Sequence, residues 1–216
     1  MKILDYILDF IWPRFCLSCK KEGSLCCAQC QKKIELLDIS YQAWPDEEKF
    51  IFEKCYVCLD FQQIFTQKLI KTFKYQYIQE LSTVLSDILY RQSQKINLPA
   101  NTIISNIPLH LKKKKQRGFD QTEVLAKNLS QKINLPYQKL LKRIKFNKTQ
   151  ARLNKAERLL NVENIFTNTQ KMCDSEAACV LLIDDIATTG ATLNEAARVL
   201  KLAGYSHIIA LVLAKN

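Results

Sequence analysis

Glycine is scarce in this chain, 4 of 216 residues, and proline is nearly as rare at 5. The glycine-rich nucleotide loops are excluded with it: there is no Gly-Lys-Ser/Thr of a Walker loop and no G-x-G-x-x-G of a dinucleotide fold. No apolar run approaches the roughly 20 residues of a membrane span, so a soluble, cytoplasmic protein is expected. The opening MKILDYILDFIWP is interrupted by Asp5 and Asp9, and no small-residue cleavage site follows. It reads as a short amphipathic helix with Ile3, Leu4, Ile7, Leu8 and Ile11 on one face. Internal repeats and low-complexity linkers are absent as well. Histidine occurs only twice, which leaves His110 as the one candidate general base, although a histidine following a strand is also a common structural hydrogen-bonder. His207 reads as structural. What the chain does have is 48% hydrophobic content, enough for one substantial core and a small extra module.

Cysteine is plentiful, with nine residues and no export signal, which points to a reducing compartment. Cys16 and Cys19 form one C-x-x-C and Cys27 and Cys30 another, seven residues apart. Four thiolates in two such knuckles can close around one Zn²⁺ as a tetrahedron. Cys26 competes for the fourth place, but Cys27 keeps the C-x-x-C geometry. Cys55 and Cys58 share the spacing but sit in CYVCLDF, which reads as a strand, where residues three apart face opposite ways. They, with Cys173 and Cys179, are expected to be small apolar residues.

Acidic residues are almost missing from one region. Residues 109–158 hold 15 Lys+Arg against 3 Asp+Glu, a net of +12, whereas residues 1–60 hold 8 against 10, a net of −2. The formal charge of +11 therefore resides in one fifty-residue stretch. A block this basic suits a polyphosphate ligand, a nucleic-acid backbone or both.

The pattern of runs predicts an α/β body. TIISNIPL (102–109), CVLLIDDI (179–186) and HIIALVLA (207–214) suit buried strands, and 121–133 and 194–204 suit helices, the latter ending at Gly204. Strand and helix in alternation imply a parallel sheet with crossover helices. Residues 67–92 add a helical layer, and QAWPDEEK (42–49) is the expected boundary between a metal module over 1–45 and a body over 50–216.

Within LLIDDIATTGATL, two adjacent carboxylates, Asp184 and Asp185, end a buried strand, and a turn rich in small hydroxylated residues follows. In open α/β sheets, ligands bind at the carboxyl ends of strands, where a helix N-terminus offers free N–H groups. Gly190 permits a tight turn, and Thr188, Thr189 and Thr192 supply hydroxyls to a phosphate, with the helix beginning near Asn194. The acids accept hydrogen bonds from sugar hydroxyls nearby. Diol plus phosphate indicates a ribose 5-phosphate.

These residues resemble the ribose-phosphate signature of type I phosphoribosyltransferases, which bind phosphoribosyl pyrophosphate (PRPP). With the paired C-x-x-C motifs, FKY (73–75), IPLH (107–110), RGFDQ (117–121) and QARLNKAERLLN (150–161), the chain resembles the ComF family over nearly its whole length. The resemblance implies a zinc-finger module on a phosphoribosyltransferase-like fold and a role in natural transformation, where incoming single-stranded DNA is handled inside the cell. It places the ribose on Asp184 and Asp185, the 5-phosphate on Ala187, Thr188, Thr189, Gly190, Ala191 and Thr192, and Mg²⁺ across PRPP oxygens. Arg117, Lys113 and Lys115, on the loop after the 102–109 strand, are candidates for pyrophosphate. Arg152 and Arg158, with Asn161, are candidates for a hood over PRPP, for DNA contacts or for surface ion pairs. The family usually has Asn where this chain has Asp120, an acid that weakens anion binding unless it pairs with Arg117 or a lysine.

Three functions follow as alternatives: a PRPP-responsive, single-stranded-DNA-handling protein with possible partners in the transformation machinery, an active phosphoribosyltransferase with an unidentified acceptor, and a zinc-containing interaction module on a silent scaffold.

Overall fold

The computed structural model describes residues 13–76, 78–145, 164–169 and 179–216. The expected N-terminal amphipathic helix, the 150–161 motif with Arg152, Arg158 and Asn161, and Cys173 lie outside the described residues.

After the cysteine knuckles and the short helix α1 (Ala28–Lys32), the body runs β1 (Lys54–Asp60), α2 (Ile64–Tyr75), α3 (Gln79–Ser93), β2 (Ile103–Asn106), α4 (Leu111–Arg117), α5 (Gln121–Ile133), β3 (Leu141–Arg143), β4 (Phe166–Asn168), β5 (Cys179–Ala187), α6 (Ala191–Leu202) and β6 (His207–Lys215). Four strands form a parallel sheet in the order β1-β6-β5-β2, and β3 and β4 pair antiparallel beside it. The parallel α/β body is the expected one. β5 and β6 are the central strands, and their nearly continuous apolar runs are what a sheet covered on both faces requires.

Two cores result, one on each face. Leu181, Ile183, Leu211 and Leu213 pack with α2, α3 and α5, while Val180, Leu182, Ala210 and Val212 pack with α6. Alternation along β1 sends Cys58 into the first core and Cys55 into the second, so this pair cannot chelate one ion. The sheet's margins are occupied by irregular chain: Leu37 N–H donates to Cys58 O at the β1 edge, and at the β2 edge Ile104 N–H donates to Pro136 O and accepts Gln138 N–H at its carbonyl.

The helical layer expected at 67–92 is present, as two helices, while two other expectations need correction. One unbroken helix over 64–93 would run about 45 Å, longer than the strands it covers. Extended Gln76 breaks it and allows Phe73 and Leu81 both to reach the core. Lys113, Lys115 and Arg117 lie not on a loop but on α4, where His110 Nδ1 caps Lys112 N–H and left-handed Gly118 closes the other end. The last helix begins at Ala191 rather than near Asn194, with left-handed Gly190 as its N-cap.

The cysteine module is joined to the body by more than its chain connection. Cys26 and Ile34 belong to the first core, with Leu17, Leu25, Leu36 and Ile39 packed against it. Glu80, in the first turn of α3, accepts the backbone N–H groups of Leu25 and Cys26 through one oxygen, and Arg14 sits 3.4 Å from the other. Residues beyond Ile34 then cross to the opposite face, where Ala43, Trp44 and Phe52 are buried in the second core.

Candidate functional site

The Sγ atoms of Cys16, Cys19, Cys27 and Cys30 all lie within 4.8 Å of one another, and Cys19 and Cys27 are 3.6 Å apart. A tetrahedral Zn–S bond of about 2.3 Å demands sulfur–sulfur edges of about 3.8 Å, so the cluster fits a structural Zn²⁺. Burial by itself would raise the Cys16 thiol, yet backbone hydrogen bonds at Cys27, Cys19 and Ser18 carry it down to about 6. Cys26 stays outside the set: burial, then the charges of neighbouring thiols and Glu80, push its thiol up to about 12.

At the carboxyl end of β5 the two acids part company, since adjacent strand residues leave the sheet in opposite directions. Asp185 is 6% exposed, with one partner on each oxygen: Lys74 Nζ lies 3.0 Å from Oδ1, and Gln121 Nε2 donates to Oδ2 at 3.2 Å. Asp184 lines a small cleft with Ile186, Ala187, Thr188, Gly190, Thr192 and Leu193. Burial first, then the Asp185 charge, raise its carboxyl to about 8, against the Asp185 N–H, Lys74 and Arg143. Gly190 (φ +78°) meets two demands at once: a left-handed backbone, and a space in which a Cβ would stand 2.8 Å from Phe50.

Cations converge on the same strand ends. Burial, then the charges of Arg143, Arg117 and Lys74, pull the Lys113 ammonium below its usual range, with Asp185 opposing. Arg117 rests on the Tyr75 ring at 5.5 Å and Arg143 on the Phe166 ring at 5.7 Å. Arg117 Nη1 and Arg143 Nε are buried with no hydrogen-bond acceptor among the described residues. An unmet buried guanidinium N–H is costly, and an anion is the group that satisfies it. Lys115, by contrast, is exposed on α4. Part of the basic stretch is neutralised internally: Lys114, Lys127 and Lys139 gather around Glu123, whose carboxyl burial would raise but whose lysine partners hold at about 2.

Asp120 has a plain structural role. At 3% exposure it caps α5, its oxygens accepting Glu123 N–H, Thr122 Oγ1 and Leu109 N–H, and among the described residues no ion pair joins it to Arg117 or a lysine. Sequence reasoning missed Lys74, Gln121, Arg143 and Trp44 as site residues. Lys74 and Gln121 stood inside quoted motifs, but nothing in the sequence separates Arg143 from the other cations around it.

The phosphoribosyl transferase domain family matches residues 121–216. Competence protein F of Haemophilus influenzae is 30% identical over 147 residues, 65% of this chain and 63% of that protein. Competence protein ComFC of Bacillus subtilis is 33% identical over 128 residues, 59% of this chain and 50% of that one. The chain thus spans between half and two thirds of the length of these curated relatives. Among solved structures, the glutamine phosphoribosylpyrophosphate amidotransferase of B. subtilis aligns at 13% identity with a TM-score of 0.44, over 66% of this chain and 30% of that one. The adenine phosphoribosyltransferase of Leishmania tarentolae aligns at 11% and 0.40, over 67% and 75%. The chain is thus similar in sequence to the two competence proteins, and its residues 121–216 match the phosphoribosyl transferase domain family.

Proposed function

We propose that this protein binds PRPP with Mg²⁺ at the end of β5 and handles single-stranded DNA in natural transformation, in the cytoplasm. The observation that supports the PRPP reading is the pair of buried nitrogens, Arg117 Nη1 and Arg143 Nε, with no acceptor among the described residues, Arg143 lying within electrostatic reach of Asp184 and Arg117 of Lys113. The 5-phosphate sits on the turn from Ala187 to Thr192, where the N-terminus of α6 supplies N–H groups and a positive dipole end. Asp184 and Asp185 accept the ribose hydroxyls. Lys113, Arg117 and Arg143 take the pyrophosphate, Mg²⁺ neutralises the remaining charge, and Lys74 pairs with Asp185. Lys112, Lys115, Lys142 and Lys145, exposed outside this cluster, are the DNA contacts. The metal module of 1–45 and the body of 50–216 act as one unit.

A second reading, transfer of ribose 5-phosphate to an acceptor, is favoured by the Asp184 carboxyl, whose value of about 8 suits proton transfer near neutral pH. Calorimetric titration of the zinc-replete protein with PRPP and Mg²⁺, repeated with a single-stranded oligonucleotide bound, separates the readings. Heat that changes with the oligonucleotide establishes linked sites. PRPP binding indifferent to DNA directs the search to an acceptor, and no PRPP binding refutes the site assignment.

A further inference from the structure

Three contacts bring the segment between the metal module and β1 onto the β5–α6 turn. The Trp44 indole N–H donates to Thr188 O at 2.8 Å. Phe50 and Trp44 fill the space where Gly190 has no side chain. Ile51 N–H donates to Asn194 Oδ1 at 2.6 Å, one turn into α6. The segment is itself rigid: Trp44 is 7% exposed, it meets Phe50 edge-on at 5.2 Å, and Phe50 stacks on Phe52 at 4.7 Å. Glu53 N–H then donates to Ile208 O, fastening its far end to β6.

We infer that this strap is a positioning element for the turn, and that Trp44 sets the orientation of the Thr188–Thr189 peptide for anion binding. The inference rests on the reading of the turn as a phosphate site. Its physical basis is the planar trans peptide, in which a carbonyl and the following N–H point in opposite directions. With Thr188 O committed to the indole, the Thr189 N–H is directed away from Trp44. A turn rich in small residues has little packing of its own to hold that peptide plane. Without the indole the plane is free to rotate, and a donor becomes an acceptor facing the anion. Asn194 holds the opposite end of the strap, so the turn is gripped on both sides of Gly190.

The test compares wild type, Trp44→Phe, Asn194→Ala and Asn194→Asp, all zinc-replete and verified as folded by urea denaturation. Trp44→Phe retains the ring and loses the N–H, whereas Asn194→Asp retains the acceptor that Asn194→Ala removes. Amide hydrogen exchange without ligand is read over 187–193. Loss of one hydrogen bond is expected to speed exchange there roughly five- to tenfold in Trp44→Phe and Asn194→Ala, leaving β6 unchanged, with Asn194→Asp at the wild-type rate. PRPP affinity, measured with Mg²⁺, is expected to fall by a similar factor in the first two variants. Unchanged exchange in the turn overturns the inference, as does faster exchange with unchanged PRPP affinity. If Trp44→Phe fails to fold, the Asn194 pair decides. Faster exchange in a protein whose wild type binds no PRPP supports the strap's hold on the turn and refutes the proposed function alone.

Discussion

Replacing Asp184 with Asn should stabilise the ligand-free protein, and by more at alkaline than at acid pH. In the fold the Asp184 carboxyl titrates at about 8, raised by burial and by Asp185. In an unfolded chain it titrates at about 3.9. Because the folded value is the higher one, the protonated carboxyl favours the fold. That contribution is complete below about pH 4 and is lost as pH rises toward 8. At about 1.4 kcal/mol per unit, four units set a ceiling of about 5.5 kcal/mol. The residue is half-buried, and solvent access at the cleft trims the working figure to about 2–3 kcal/mol. Asn has nearly the same shape and does not titrate. Its advantage over wild type should therefore widen by about 2 kcal/mol between pH 5 and pH 8. Urea denaturation of both proteins at several pH values measures this directly, since every other titrating group is shared. An advantage constant across the range would show that Asp184 is ionised throughout, and the reasoning about its burial would fail.

Other outcomes are expected. Gly190→Ala should cost about 2–4 kcal/mol, combining a left-handed backbone with a Cβ driven into Phe50, and an unchanged denaturation midpoint would contradict the packing. Arg143→Ala should weaken PRPP binding at least about tenfold while leaving stability within about 1 kcal/mol of wild type, because its buried Nε has no partner among the described residues; calorimetry and denaturation read the two effects separately. Cys16→Ser should lower bound zinc from one ion per chain, as read by elemental analysis. It should also lower the melting temperature of the whole protein, because the module shares the first core; a zinc-free chain melting like wild type would refute this.

Much of this architecture was readable from local pattern. Helix α5 falls where its sequence puts it because both ends carry their own signals, Asp120 as N-cap and left-handed Asn134 as C-cap. Strand β5 and its turn were legible because an apolar run is punctuated by two acids and a glycine. Helix α4 was not, since four successive lysines carry no apolar period; His110 and Gly118 make it a helix from its ends. The break at Gln76 has no glycine or proline to announce it and follows from the length of the sheet beneath. The candidate site shows the same division. Its turn is a contiguous motif, but Trp44 meets Thr188 across 144 residues. Likewise, Arg143 is singled out from its neighbours by distant chain, the ring of Phe166 on the partner strand and the Asp184 carboxyl on β5.

The occupied margins of the main sheet bear on how the protein can associate. A bare edge strand is a template for another chain, and proteins commonly defend it with charge or proline. Here the β2 edge is already engaged by residues 136–138 and the β1 edge by Leu37. A second copy or an extended peptide has no ready ladder to join at these two places without first displacing the chain that lies there. Strand addition at these two places is thereby disfavoured.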